Sequence, residues 1–579
     1  MPLAPFTGVL GKKNAAHLLR RAVFGGSKEA IDALAGLTAS QAIQQLFVTT
    51  DDPLPPIDPA TGETWVDKLL VSGESGEGDL QGYFIRWWLG ILAGTGIDSS
   101  QKLAFQTREK IVFLLHTHFT TIQETVNNSR ALYYQNALFR KFAFDNQPDP
   151  LWNFKMLTKK VSLDNAMLVL LDGRLNVKGW PNENYAREFL ELYTIGKGLP
   201  GYVPPSTIPG DYIYFTEQDV QAAARVFSGY DTDFTFLTID EDTQLPRVKI
   251  KGTGTVASQH DNDPKVFSDR FGNTVIEPDP ELLLVDKPTE ASMLDELDQL
   301  VEMVYAQEET IKNICRRIYR FYVYHEITQD IDNGIIAEMA NTFVANNFKL
   351  QPVIMELLQS QHFYDSANST VDDNNFGALI KSPLDLVLNT LSFFEYALPD
   401  PQTEAEKFYE VTGNILESMK RQGMHFLNPY DVAGYDAYFQ YPLYNRNWIS
   451  SNTLTQRYKF IHDTFRVDTM EDGAVEIDIL EFVKQRFAHV ALNPDALIRE
   501  LASYLLPMSE EGTEITVERL NYFKSQFFVI GKGLPQGPEA FWEFSWNNAD
   551  TIPESKEDAR GMLQYLLNAM LQSPEYQLF

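Results

Sequence analysis

Cysteine is almost missing from this 579-residue chain, in which Cys315 stands alone. A single thiol excludes an intramolecular disulfide and a cysteine-based zinc site. Cys315 shares a helical face with Ile311, Ile314, Ile318 and Tyr322. That pattern predicts a buried thiol that behaves as a small hydrophobe, not a nucleophile. Positive charge is also sparse. Lys and Arg number 48 against 79 Asp and Glu, for a net charge of -31. Phosphate backbones and anionic membrane surfaces are repelled by such an average field, so no nucleic-acid partner is expected. The richest basic stretch, ICRRIYR (314–320), is interleaved with apolar residues and reads as a packed helix with snorkelling arginines.

Long apolar runs are absent as well. FIRWWLGILAG (84–94) comes nearest, but it carries Arg86 and falls short of the ~18 residues that span a bilayer, so no transmembrane segment is expected. In MPLAPFTGVLGKKNAAHLL the two lysines follow a mild apolar stretch that Pro and Gly interrupt. This does not read as a secretory signal. The face-value compartment is the cytoplasm, with export alongside a partner or envelope association left open.

What the chain does have is aromatic bulk, with 38 Phe, 26 Tyr and 8 Trp, enough for a sizeable core. Apolar residues recur at spacings of three and four over 12–24, 81–95, 100–119, 129–144, 182–195, 216–229, 290–306 and 308–324. The same spacing returns over 332–346, 382–397, 448–463, 493–506, 515–530 and 556–572. The prediction is a mainly α protein, a large multi-helical bundle-like body. Between about 231 and 289 the pattern changes to alternation and turn residues, in FTFLTI, RVKIKGTGTVAS and TVIEPDP. That reads as a small β hairpin or β excursion. The chain thus divides into a helical region over 1–230, a β-containing insertion over 231–289 and a helical region over 290–579, expected to form one continuous unit. Gly25, Gly196, Gly229 and Gly531 each follow a helical run and suit C-terminal caps. Thr216 and Asp219 approach a capping box. Stretches 51–63 and 364–376 read as surface loops. IGKGLP occurs at 195–200 and again at 530–535, as two similar helix-ending loops. KGTGTVA is followed by a polar loop instead of a helix, which argues against a dinucleotide site.

Four constellations could carry chemistry. In LLHTHF (114–119) His116 and His118 project roughly 200° apart, which does not suit a shared metal on one helix. His118 lies on the face of Ile111, Leu114 and Leu115 and should point inward, as a satisfied core histidine or a functional one. In PNENYAREFLELYTIG (181–196) Asn182 is a plausible N-cap. Glu183, Arg187 and Glu191 form one charged stripe, with Asn184 and Glu188 beside it. The plain reading is a solvated ion-pair stripe; the sharper one is a polar seam inside a bundle. In SQHDND (258–263) His260 and Asp261 are adjacent, with Lys265 close behind. A loop histidine beside carboxylates can serve as a base or a ligand. The fourth, HFLNPYDVAGYDAYF with NRNWISSNTLTQR (425–457), reads as a rigid aromatic loop. No nucleophile elbow, His-Glu-x-x-His helix or EF-hand loop is present.

Taken in order, these pieces resemble the bacterial family DUF1800, a domain of unknown function. AAHLLRRAVFGG (15–26) looks like its N-terminal signature and TREKIVFLLHTHF (107–119) like its His-x-His-Phe helix. PNENYAREFLELYTIG is similar to its most distinctive motif, and FTEQDVQAAARVFSGY (215–230) to the helix that follows it. SQHDNDPK, ICRRIYRFYV (314–323), IKSPLDLV (380–387) and NPYDVAGY (428–435) resemble its later landmarks. In the last of these, Tyr430, Asp431 and Tyr435 stand where the family usually has Pro, Asn and Trp, and an insertion separates the loop from NWI. The resemblance implies a helical fold. It also implies a protein partner of the sulfatase or alkaline-phosphatase-like type, because relatives are often encoded beside such proteins.

The leading expectation is an accessory protein acting in a complex with that exported partner. The alternative is a metal-assisted hydrolase of an anionic or polysaccharide substrate. There His118, Glu183, Glu188, His260 and Asp261 would supply ligands or the base, and Arg108 and Arg187 would neutralise charge. Asn182, Asn184 and Lys265 would bind. The cofactor, if any, would be a divalent transition metal. This reading requires the His260 loop to fold onto the 182–195 helix near His118. A third reading is a carbohydrate-binding protein using the aromatics of 430–448.

Overall fold

The structure is a computed structural model. It describes residues 3–67, 75–144, 152–204, 206–365, 376–466, 473–507 and 515–579. Most of the loop expected at 364–376 lies outside the described residues.

The periodic segments form helices close to where the spacing puts them: Gly11–Ala22, Glu77–Leu92, Lys102–His118, Ser129–Ala143, Glu217–Val226, Glu290–Tyr305, Glu308–Tyr322 and Pro553–Leu571, among others. Helices that weak periodicity concealed also appear, including Lys28–Ala35, Phe154–Ser162, Leu350–Gln359 and Ala405–Arg421. Several start on side-chain caps: Ser27 accepts from the Ala30 N–H at 3.2 Å, and Asn153 from the Met156 N–H at 3.0 Å. Such caps satisfy amide donors that the helix leaves open.

The Lys102–His118 helix is the structural axis. Every residue from Ala104 to His118 is buried, which a helix achieves only when neighbours cover all its faces. Its charged residues are accordingly paired. Arg140 on the Ser129–Ala143 helix donates to both oxygens of Glu109, at 2.6 and 2.8 Å, and Lys110 forms an ion pair with Asp385. Distant segments close over this axis: Gly11–Ala22 packs on Pro494–Leu505, and Glu77–Leu92 on Ala405–Arg421. Buried apolar side chains from Leu3 to Tyr576 belong to one cluster.

The β excursion is real and small. Tyr230–Asp231 pairs antiparallel with Lys249–Ile250, and Lys265–Val266 with Val275–Ile276. FTFLTI forms no strand; only Ile239 makes an isolated bridge, to Pro246. Gly25, Gly196 and Gly229 take positive φ as expected of cap positions, whereas Gly531 does not. Gly229 (φ 88) has a further reason to lack a side chain: a Cβ there would stand 2.8 Å from the backbone nitrogen of His260. Cys315 is fully buried, and burial pushes its thiol well above the usual range. The arginines of 314–320 do not all snorkel. Arg316 is buried and clamped between Glu309 and Asp332, with its Nε 2.6 Å from Asp332. Among the described residues no helix is long and apolar enough to cross a membrane.

Candidate functional site

The distinctive motif folds as a short α-helix, Asn184–Glu188, that widens directly into a π-helix, Phe189–Tyr193. Such widened turns recur at functional sites because they re-aim side chains and leave carbonyls open. Here the open carbonyls are taken up by neighbours. His118 donates from Nε2 to the Tyr193 oxygen at 2.9 Å, and Asn313 donates to the Thr194 oxygen at 2.8 Å. Burial first, then Arg317, hold the His118 imidazole well below its ordinary pKa. A neutral ring whose Nε2–H ends on a helix carbonyl joins two helices, and this satisfies the inward-facing histidine expected from its face. His116 meets Trp88 edge-on at 5.3 Å and is pushed by burial down to about 3.

Asn182 does not take the N-cap position, which falls to Glu183. Its Oδ1 instead accepts from the Asn184 N–H at 3.0 Å, one residue out of the expected register. Asn184 donates to the Leu171 oxygen at 3.2 Å. The stripe carries an unexpected partner. Arg187 reaches both oxygens of Glu217 at 2.9 Å and Glu183 only at 3.4 Å. Burial and then Glu217 raise the Glu183 carboxyl.

Glu188 is different. It is half-buried, without an ion-pair partner among the described residues, and its carboxyl is pushed up to about 7. Burial is the main cause, followed by the negative charges of Glu191 and Asp431, which outweigh Lys197 and Arg187. Next to it the Tyr193 hydroxyl is buried with no hydrogen-bond partner, in the field of Tyr185, Glu188 and Arg317. Arg317 meets no carboxylate among the described residues. Burial and the adjacent Arg320 lower it to about 10, against the opposing pull of Tyr193 and Tyr444. A carboxyl that titrates near neutrality, an unsatisfied phenol and an uncompensated guanidinium thus converge around one π-turn.

The His260 loop builds a separate assembly. His260 Nδ1 lies 2.8 Å from the Ser228 oxygen and Nε2 lies 2.9 Å from Glu296, to which Lys265 is also paired. The His260, Lys265 and Glu296 side chains are all fully buried. Asp261 accepts from Arg225 at 2.7 and 3.2 Å. Burial pushes its carboxyl up, but the Arg225 bonds prevail and hold it below the ordinary range. Arg108 is remote, donating to the Thr50 and Asp51 oxygens at 2.9 and 2.7 Å. The direct contacts do not join these residues into the composite site expected from sequence. None of the hydrogen bonds or ion pairs of His260, Asp261, Lys265 or Arg108 among the described residues reaches His118, Glu183 or Glu188. Nor does any group of three or more His, Cys, Asp and Glu among them stand close enough to hold a metal ion. Glu296, Tyr193, Arg317 and Asp431 are not among the site residues expected from sequence, although Asp431 stands out as a departure from the family pattern and Arg317 lies in the basic stretch 314–320. Tyr193, Arg317 and Asp431 each lie inside a stretch that carries the family resemblance, whereas Glu296 carries no such signal.

These features define a mainly α protein whose distinctive motif ends in a π-turn. The chain belongs to the DUF1800 family of proteins of unknown function, whose sequence profile it matches over residues 17–578. No curated protein and no solved structure matches the chain.

Proposed function

We propose that the chain is an enzyme of the hydrolase class in which Glu188 is the general acid. The observation that carries this reading is the Glu188 carboxyl at about 7, half-buried beside Asp431 and a π-turn. A proton donor works best when its pKa lies near the working pH, and shifts produced by burial and like charge gather at such sites. Tyr193, whose hydroxyl has no hydrogen-bond partner, and Arg317, which meets no carboxylate among the described residues, are suited to orient and neutralise a polar substrate. Divalent metal binding has no ligand set to support it among the described residues, so the acid–base part of the hydrolase reading is the part retained. The test is a panel of chromogenic glycosides, phosphate esters, sulfate esters and carboxylic esters, assayed from pH 5 to 9. The expected result is turnover of one class that declines above about pH 7 and falls by roughly 10²- to 10⁴-fold in Glu188→Gln. Equal turnover by wild type and Glu188→Gln overturns the reading, as does a Glu188 carboxyl that titrates in the ordinary range by carbon NMR.

Another reading, action in a complex with an exported sulfatase- or phosphatase-like protein, is favoured by three large apolar side chains. Trp180, Leu237 and Val285 are 83%, 81% and 84% exposed. Such groups mark an interface when they gather into one patch. Co-purification with that partner, weakened by Trp180→Ser, is the expected outcome. Intact association in a variant with all three replaced by Ser counts against it.

A further inference from the structure

A cavity of about 590 Å³ opens where four helix ends meet: the start of Lys28–Ala35, the end of Glu77–Leu92, the start of Lys102–His118 and the end of Pro383–Phe393. A space of that size takes a small organic molecule together with some water. None of its lining residues belongs to the motif helix. Part of the lining is apolar, built from Leu103, Leu388, Leu391 and Leu398. Lys102, Glu29 and Glu395 bring charge to the same cavity.

Lys102 differs from the other buried lysines. Lys110, Lys265 and Lys381 are each bonded, to Asp385, to Glu296 and to the Tyr576 oxygen. The half-buried Lys102 makes no hydrogen bond or ion pair among the described residues. Burial lowers its ammonium, and Glu395 opposes that from beyond contact. Its stem lies over Gly94, where φ is 74 and a Cβ would stand 3.0 Å from Lys102 Cε. The glycine thus leaves the room in which the lysine stem is laid.

Glu29 and Glu395 share one guanidinium, that of Arg486. Two carboxylates on one cation leave one negative charge over, and Lys102 supplies one positive charge. A carboxylate has about four acceptor sites, so the shared arginine leaves each glutamate room for a second donor. The cavity is therefore neutral in sum, with its opposite charges held apart beside an apolar surface. A monoanion would suit Lys102 but meet the repulsion of the two glutamates, and a monocation would meet the reverse. A dipolar ion answers both, and charge-assisted bonds of that kind are the strong ones.

We infer that this cavity binds a small zwitterion with an apolar side chain, an α-amino acid or a dipeptide, its carboxylate on Lys102 and its ammonium on Glu395 and Glu29. The leucines of the lining take the side chain. The site does not depend on the role proposed for Glu188.

The test is calorimetric titration of the full chain with leucine, leucyl-leucine, leucinamide, N-acetyl-leucine and octanoate at constant ionic strength. Saturable binding of leucine or leucyl-leucine is expected. Leucinamide and N-acetyl-leucine each lack one charge and should bind at least about tenfold more weakly. Tighter binding of leucine marks a free amino-acid site, and tighter binding of leucyl-leucine a dipeptide site. Lys102→Gln should bind leucine no better than it binds leucinamide. Ala397→Trp, at an exposed position of the lining, should block the cavity. Should Lys102→Gln fail to fold, Ala397→Trp carries the result. Absence of saturable binding, octanoate bound as tightly as the zwitterions, or binding unchanged by these substitutions overturns the inference.

Discussion

The Glu217–Val226 helix packs against two charged assemblies that treat their charges differently. Toward the Glu290–Tyr305 helix stand His260, Lys265 and Glu296, fully buried, with a carboxylate facing both bases. Toward the motif helix stands Glu188, half-buried, among other acids and without an ion-pair partner among the described residues. On spacing alone the His260 assembly has the more catalytic character, with a histidine and an aspartate side by side in a loop. The structure makes it an internal tie, in which the β-containing stretch is pinned to a helix through Glu296 Oε2, which meets both His260 and Lys265, while Oε1 has no hydrogen-bond partner among the described residues. The Glu188 assembly reads, on spacing, as an ordinary solvated stripe. It contains a carboxyl whose charged form the fold disfavours. Function is better sought where a fold leaves a polar group discontented than where it satisfies one, because stabilised charges have little left to offer a substrate.

The largest effect that would break this comparison belongs to Glu296. Glu296→Ala leaves Lys265 buried without its counter-charge and should cost about 3–5 kcal/mol in urea denaturation. A loss below about 1 kcal/mol would mean that the assembly is not a structural tie. Gly229→Ala comes next. It places a Cβ against the His260 backbone at a positive φ, and a destabilisation of about 1–3 kcal/mol is expected from strain of that kind.

Glu188→Gln should move stability in the opposite direction. The folded chain keeps the Glu188 proton to about 7, whereas an ordinary glutamate releases it near 4.5. Between those values the folded state binds the extra proton, so this group's contribution to stability falls as pH rises and levels off above 7. The amide removes that loss. The variant should therefore be more stable than wild type at pH 8, by about 1 kcal/mol once solvent screening is allowed for, and the gap should close toward pH 4.5. Asp164 supplies a contribution of the same sign. Burial, against its bonds to Met167 N–H and Gln135, raises it to about 7. Asp164→Asn in both backgrounds isolates the Glu188 part. The smallest effect is that of Arg187→Ala: its partners Glu183 and Glu217 are about one-third exposed, and such pairs contribute about 0–1 kcal/mol.

Much of this protein was legible in one dimension. Helical periodicity reports which face of a segment meets the core, so the Lys102–His118 and Glu308–Tyr322 helices, the inward His118 and the buried Cys315 followed from spacing alone. Turn chemistry located the β excursion and three of the four glycine caps. The family was readable because its motifs are long and ordered along the chain. Charge partnerships were not readable, because a pair depends on which elements pack together. Arg187 met Glu217, Arg316 met Glu309 and Asp332 together, and His260 met Glu296, a residue on a separate helix. Asp431 came to influence Glu188 from the far side of the sequence, and Glu29, Lys102 and Glu395 reached one cavity from three segments. Hydrophobic burial is a property of each residue's own face and is written locally. Electrostatic satisfaction is a property of pairs brought together by packing, and only the tertiary structure decides it.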